Sequence, residues 1–181
     1  MGSARDQRFT DAYVAHYADV LGYLARRSSI EDARDAAADV FTVAWRRLDQ
    51  MPGGTGTRPW LYGVAAHVLA NQRRGNRRRR DLRARLDGVS PATQVGPASV
   101  AADAELAVAL NKLRPTDREI LLLNAWEGLP ASQIALRFRI SLEAVEKRLT
   151  RAKARLASTL EQTDRSSSTR PTTNFIEGQT T

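Results

Sequence analysis

Apolar residues return every three or four positions through most of this chain, the spacing of helices that bury one face. Tyr13, Tyr17, Val20, Leu21 and Leu24 predict a first helix over Phe9 to Arg27. Ala33, Ala37, Val40, Phe41, Ala44 and Leu48 predict a second over Ile30 to Leu48. Between Gln50 and Thr57 the sequence QMPGGTGT reads as a flexible loop. Pro59 then takes a helix-starting position, and Trp60, Leu61, Val64, Ala65, Val68 and Leu69 form the stripe of a strongly amphipathic third helix.

A second helical set begins near Glu105 to Leu113 and continues through Arg114 to Leu156. Thr116 and Asp117 offer N-cap oxygens to a helix carrying Ile120, Leu121, Leu123 and Trp126, which Gly128 stops. A short helix over Ala131 to Phe138 turns Ile134, Ala135 and Phe138 inward. After the turn Arg139-Ile140-Ser141, Ser141 caps a long helix whose stripe is Leu142, Val145, Leu149, Ala152 and Leu156. This is helix-turn-helix spacing, with small Ala135 where the two helices approach closely. The opposite face of the last helix carries Lys147, Arg148, Arg151, Lys153 and Arg155, placed to meet phosphates while its first turns meet base edges.

Charge sharpens the picture by its placement. The net charge is +8, but Arg73 to Arg85 alone holds eight arginines against one aspartate, while residues 1–50 hold seven arginines against eight acidic residues. A block so concentrated points to a polyanion partner. It continues the amphipathic third helix, which argues for a helix laid along a phosphate backbone. The second helix opens the other way, with Glu31, Asp32, Asp35 and Asp39 against Arg34. Part of that bias is ordinary N-terminal helix chemistry, and the rest suits a protein-docking surface.

The remaining features exclude more than they add. There is no cysteine, so no disulfide framework forms, and His16 and His67 each stand alone, without the neighbours a metal site needs. No apolar run is long enough to span a bilayer and no signal-peptide core opens the chain, so a cytoplasmic protein without membrane contact of its own is expected. The clustered carboxylates could in principle hold Mg²⁺, but no histidine or lysine supports them in a catalytic role. No catalytic residue, metal or cofactor is expected. Asp87 to Asp103, rich in Pro, Gly, Ser, Ala and Val, reads as a linker, and the polar Ser/Thr-rich sequence after Leu160 reads as a disordered tail. The expected fold is all-α: two small helical domains at 9–86 and 104–160, a flexible linker at 87–103 and a tail at 161–181.

At this point the residues resemble a known family, the extracytoplasmic-function sigma factors of bacterial RNA polymerase, over roughly residues 9–160. EDARDAAADVFTVAWRRL looks like the family's acidic helix, and RPWLYGVAAHVLANQRRGNRRRR like its promoter-melting helix and basic end. LRPTDREILLLNAWEGLPASQIALRFRISLEAVEKRLTRAKARL is similar throughout to its helix-turn-helix. The resemblance implies that the first domain is sigma region two and the second sigma region four.

It further implies that Asp35, Asp39, Val40, Phe41, Trp45 and Arg46 dock on the clamp helices of the largest polymerase subunit. Trp60, His67, Asn71, Arg73, Arg74, Arg77 and Arg78 would meet the minus-ten element, where a base is flipped and held on the non-template strand. Ser141, Glu143, Ala144, Lys147, Arg148 and Arg151 would read the minus-thirty-five element. The implied partners are core RNA polymerase, including its flap region, promoter DNA and an anti-sigma factor. A stand-alone helix-turn-helix regulator is the alternative, and it leaves the acidic helix and Trp60 to Arg80 without a role. Against the family pattern, Arg139 replaces a turn glycine, and Pro130 replaces a serine cap. A non-glycine residue at positive φ there costs on the order of 1 kcal/mol. Opposite charges at Glu31–Asp39 and Arg73–Arg85 suggest one way for the free chain to fold on itself.

Overall fold

The structure is a computed structural model and describes residues 3–87 and 104–168. Among these residues there are seven α-helices, two short 3₁₀ turns and no strand. The expected linker, apart from Asp87, and the last thirteen residues lie outside the described residues.

Helices α1 (Ala4–Ala25), α2 (Ile30–Arg46) and α3 (Thr57–Asp87) pack on one another as a three-helix unit. Helix α1 begins before the expected Phe9 because Ser3 and Asp6 form a capping box, each side chain bonding the other's backbone N–H. Ser29 caps α2, its hydroxyl accepting from the Asp32 N–H at 3.2 Å. The segment expected as a flexible loop is instead two 3₁₀ turns, Leu48–Gln50 and Gly54–Gly56. Leu48 and Met51 anchor it by burial against Ala12, and the Thr57 hydroxyl donates to the Pro52 carbonyl at 2.8 Å. Gly54 supplies the left-handed φ of +57° that the turn needs.

Helices α4 (Ala104–Asn111), α5 (Pro115–Ala125), α6 (Ala131–Phe138) and α7 (Leu142–Ser168) form the second unit, with α4, α5 and α6 all packed on α7. The start of α5 departs from expectation. Pro115 occupies the first turn and Arg114 the cap without a side-chain bond, so Thr116 and Asp117 lie inside the helix. The helix ends at Ala125, and Gly128 at φ +64° turns the chain so that the Leu129 N–H reaches the Leu123 carbonyl at 3.0 Å. Helix α6 has the expected bounds, as does the start of α7. However, α7 runs to Ser168, eight residues into the sequence expected to be a disordered tail.

The core is continuous across both units. Val20, Leu24, Val40, Leu61 and Ala65 belong to the same buried cluster as Ile120, Leu123, Ile134 and Val145. Tyr23 stacks on Tyr62 at 5.0 Å within it. Three stripe positions face outward instead: Tyr13 of α1, Trp126, at the end of α5, and Leu142, in the first turn of α7.

Candidate polymerase and nucleic-acid interfaces

On α2, Asp35, Asp39, Trp45 and Arg46 are all exposed. Among the described residues Glu31, Asp35 and Asp39 have no ion-pair partner, so their field is available to a basic surface. Val40 and Phe41 do not belong to that surface. They share the stripe of Ala33, Ala37 and Ala44 and lie in the core at 0% and 4% exposure, so the α2 surface reduces to Asp35, Asp39, Trp45 and Arg46. Trp45 is fixed in place: Phe9 meets its ring edge-on at 5.1 Å, and the Arg5 guanidinium lies over it at 5.4 Å while donating to its carbonyl at 3.1 Å.

Along α3, His67, Asn71, Arg73, Arg74, Arg77 and Arg78 are exposed and Trp60 is half-buried. The arginines stand one above another as Arg73/Arg77 and Arg74/Arg78, like-charge i, i+4 pairs that cost an isolated helix about 0.2–0.5 kcal/mol each. Partial compensation comes from neighbours, since Arg74 donates to Asn71 Oδ1 and Arg79 to Asn76 Oδ1 at 3.0 Å. A polyanion laid along this face would relieve the rest.

At the start of α7, Ser141 Oγ accepts from the Ala144 N–H at 3.1 Å, fixing the first turn. Glu143 pairs with Lys147 on the surface. Arg148 is held by Asp117 of α5 at 2.8 Å, and Arg151 is exposed with no ion-pair partner among the described residues. The α6–α7 turn is made by Arg139 in the left-handed region, φ 54° and ψ 44°, its N–H bonding the Ala135 carbonyl.

The α6 helix also faces the first unit. With Trp60 and His67 of α3, its residues Leu136, Arg137 and Arg139 line a cleft of about 790 Å³. Among the described residues no group of three histidines or acids is placed to hold a metal ion, and no helix is long and apolar enough to cross a membrane.

Residues 103–156 match the family model described as Sigma-70, region 4. The chain is 31% identical to RNA polymerase sigma factor NccH of Alcaligenes xylosoxydans xylosoxydans, across 86% of this chain and 89% of that protein. This chain belongs to the extracytoplasmic-function branch of the RNA polymerase sigma factors. Such a factor binds core RNA polymerase and directs promoter recognition and transcription initiation. The fold agrees with two solved structures. One is CnrH in complex with the cytosolic domain of CnrY, with TM-score 0.62, 23% identity and coverage of 88% of this chain and 92% of that one. The other is sigma factor RpoE in complex with the anti-sigma factor NepR from Bartonella quintana, with TM-score 0.56, 23% identity and coverage of 84% and 96%.

The residues that join the two units of this sigma factor were not singled out from the sequence. Glu127, with a side chain only 1% exposed, receives Arg27 at 3.0 Å and also pairs with Arg26. Arg58 donates to the Glu127 carbonyl at 2.7 Å and pairs with Asp19 at 3.0 Å. The Tyr23 hydroxyl donates to Glu119 at 2.7 Å, and the Arg27 guanidinium lies 3.7 Å over the Tyr23 ring. Burial first, then the Glu119 charge, raises the Tyr23 pKa well above its ordinary value, so the phenol remains a donor. The only sequence signal was a lone carboxylate between Trp126 and Gly128. Of the charge blocks expected to attract one another, the described part makes no ion pair: no α2 carboxylate pairs with Arg73, Arg74, Arg77, Arg78 or Arg79.

Proposed function

We propose that the three charged surfaces divide the work of initiation between two domains, 9–86 and 104–160. Asp35, Asp39, Trp45 and Arg46 dock on the polymerase clamp helices through charge and one fixed aromatic ring. Arg73, Arg74, Arg77 and Arg78 follow the phosphates of the minus-ten region, and Trp60, His67 and Asn71 offer a stacking face and hydrogen-bonding groups to unpaired bases. At the minus-thirty-five element Ser141, Glu143, Ala144 and Lys147 lie toward base edges, while Arg148 and Arg151 contact phosphates. The chain performs no catalysis, acts in the cytoplasm and is restrained by an anti-sigma factor. Support for that last point is that the solved structures of similar fold hold a sigma factor with a bound partner.

The observation that carries this reading is the segregation of charge: Glu31, Asp35 and Asp39 exposed on α2, and Arg73, Arg74, Arg77, Arg78 and Arg151 exposed on α3 and α7, without an ion-pair partner among the described residues. The test is equilibrium binding of labelled protein to core polymerase. Reversing Asp35 and Asp39 to lysine should weaken binding by at least about tenfold, or 1.4 kcal/mol, with helicity unchanged. Unchanged affinity would remove α2 from the docking surface.

A further inference from the structure

Glu127 is an unusual group to find at the junction of two helical units. A carboxylate that buried is stable only when paired, and both guanidiniums that pair with it come from the other unit, at the end of α1. Its own carbonyl is taken by Arg58 at the start of α3, so side chain and backbone are held from two helices at once. Glu127 stands between the end of α5 and the left-handed turn at Gly128. Water reaches the network through Arg26 and Arg58, whose side chains are 38% and 31% exposed, while that of Arg27 is 9% exposed.

The same junction sets α6 against α3, where Leu136, Arg137 and Arg139 wall the cleft that contains Trp60 and His67. Leu136 remains 68% exposed there, so apolar packing does not seal this part of the contact. A junction held by a few buried charges opens in a more all-or-none way than one held by broad apolar area, because losing one partner strands the others.

We infer that Glu127, gripped by Arg26 and Arg27 and backed by Arg58, is a latch that keeps the free sigma factor closed with α6 over the Trp60–His67 face. Closure itself follows from the geometry of the junction. Its consequence, that the chain holds itself off the promoter, rests on the reading of Trp60 and His67 as promoter-facing. The apparent affinity of a factor whose competent form is only fractionally populated falls by that fraction, so opening the latch tightens binding without any new contact.

The chain has no cysteine, which permits a clean distance measurement on the full-length protein. Spin labels at Ala38→Cys on α2 and Lys153→Cys on α7, both exposed positions, report the separation of the units. A single narrow distance is expected for the parent, and a longer, broad distribution for Glu127→Gln. Should Glu127→Gln lose helicity, Arg26→Gln with Arg58→Gln cuts two arms while leaving the buried Glu127–Arg27 pair intact, and it should open the protein too. A parent that is already broad, or variants that remain narrow, would overturn the latch.

Affinity for single-stranded minus-ten DNA, measured on the same proteins, should rise about tenfold in the opened variants. Opening without that gain would overturn the self-masking role. Failure of every form, parent included, to bind that DNA would instead contradict the minus-ten assignment, while the distances would still judge the latch.

Discussion

Arg139 shows how much one residue can reveal at a turn. It ends α6 at φ 54°, where an L side chain crowds its own backbone, and its guanidinium has no ion-pair partner among the described residues to compensate. Arg139→Gly should therefore stabilise the protein by about 0.5–1 kcal/mol, read as a rise in denaturant midpoint at constant slope. A fall would mean that the arginine makes a contact worth more than its strain. Tyr23 gives a second residue-scale prediction. Its phenol holds its proton well above the ordinary value of 10.0 because burial and Glu119 disfavour the phenolate. Above pH 10 the unfolded chain releases that proton and the native state does not, so stability falls by up to about 1.4 kcal/mol per pH unit. Tyr23→Phe should flatten this alkaline limb in pH-dependent unfolding, and an unaltered limb would contradict the assignment.

Among the elements, helix existence and core faces were largely legible in the sequence, because the pattern of burial is the pattern of spacing. The α2 stripe from Ala33 to Ala44 and the α3 stripe from Leu61 to Leu69 are buried where the three-four rhythm places them. Boundaries were less legible, since they depend on competing caps. Pro115 outranked Thr116 and Asp117, and Ser3 added a turn and more to α1. The proposed docking residues were legible only by type: Val40 and Phe41 lie in the stretch expected to dock, but their period assigns them to the core. The Glu127 junction was illegible, because long-range ion pairs leave no local rhythm. Ser141 caps the helix that would enter the groove, so Ser141→Ala should cost about 1 kcal/mol of stability and loosen the first turn of α7. Thermal unfolding together with minus-thirty-five DNA binding would check both effects, and loss of neither would argue against the cap's importance.

For the whole molecule, the two units share one core and one charged junction, yet the proposed function sets them at two separate promoter elements. The sign and placement of charge fit the division of work proposed above: acid exposed on α2, base exposed on α3 and α7, and a buried acid–base cluster between the units. Affinity for promoter DNA should fall steeply with salt, with a slope of log affinity on log salt of about 0.9 per neutralised phosphate. Arg151→Glu should reduce the size of that slope by about one, and an unchanged slope would remove Arg151 from the phosphate contacts. Arg151 is a cleaner probe than Arg148, whose reversal would also break its ion pair with Asp117.

The most direct measurement is run-off transcription by bacterial core polymerase on candidate promoters of the host, with and without this protein. The account predicts transcripts that depend on the protein and are lost with Arg151→Glu, while a folded Lys112→Gln control, at an exposed position outside the proposed surfaces, retains them. Tight binding to duplex DNA by the protein alone, with no transcript and no association with core polymerase, would contradict it.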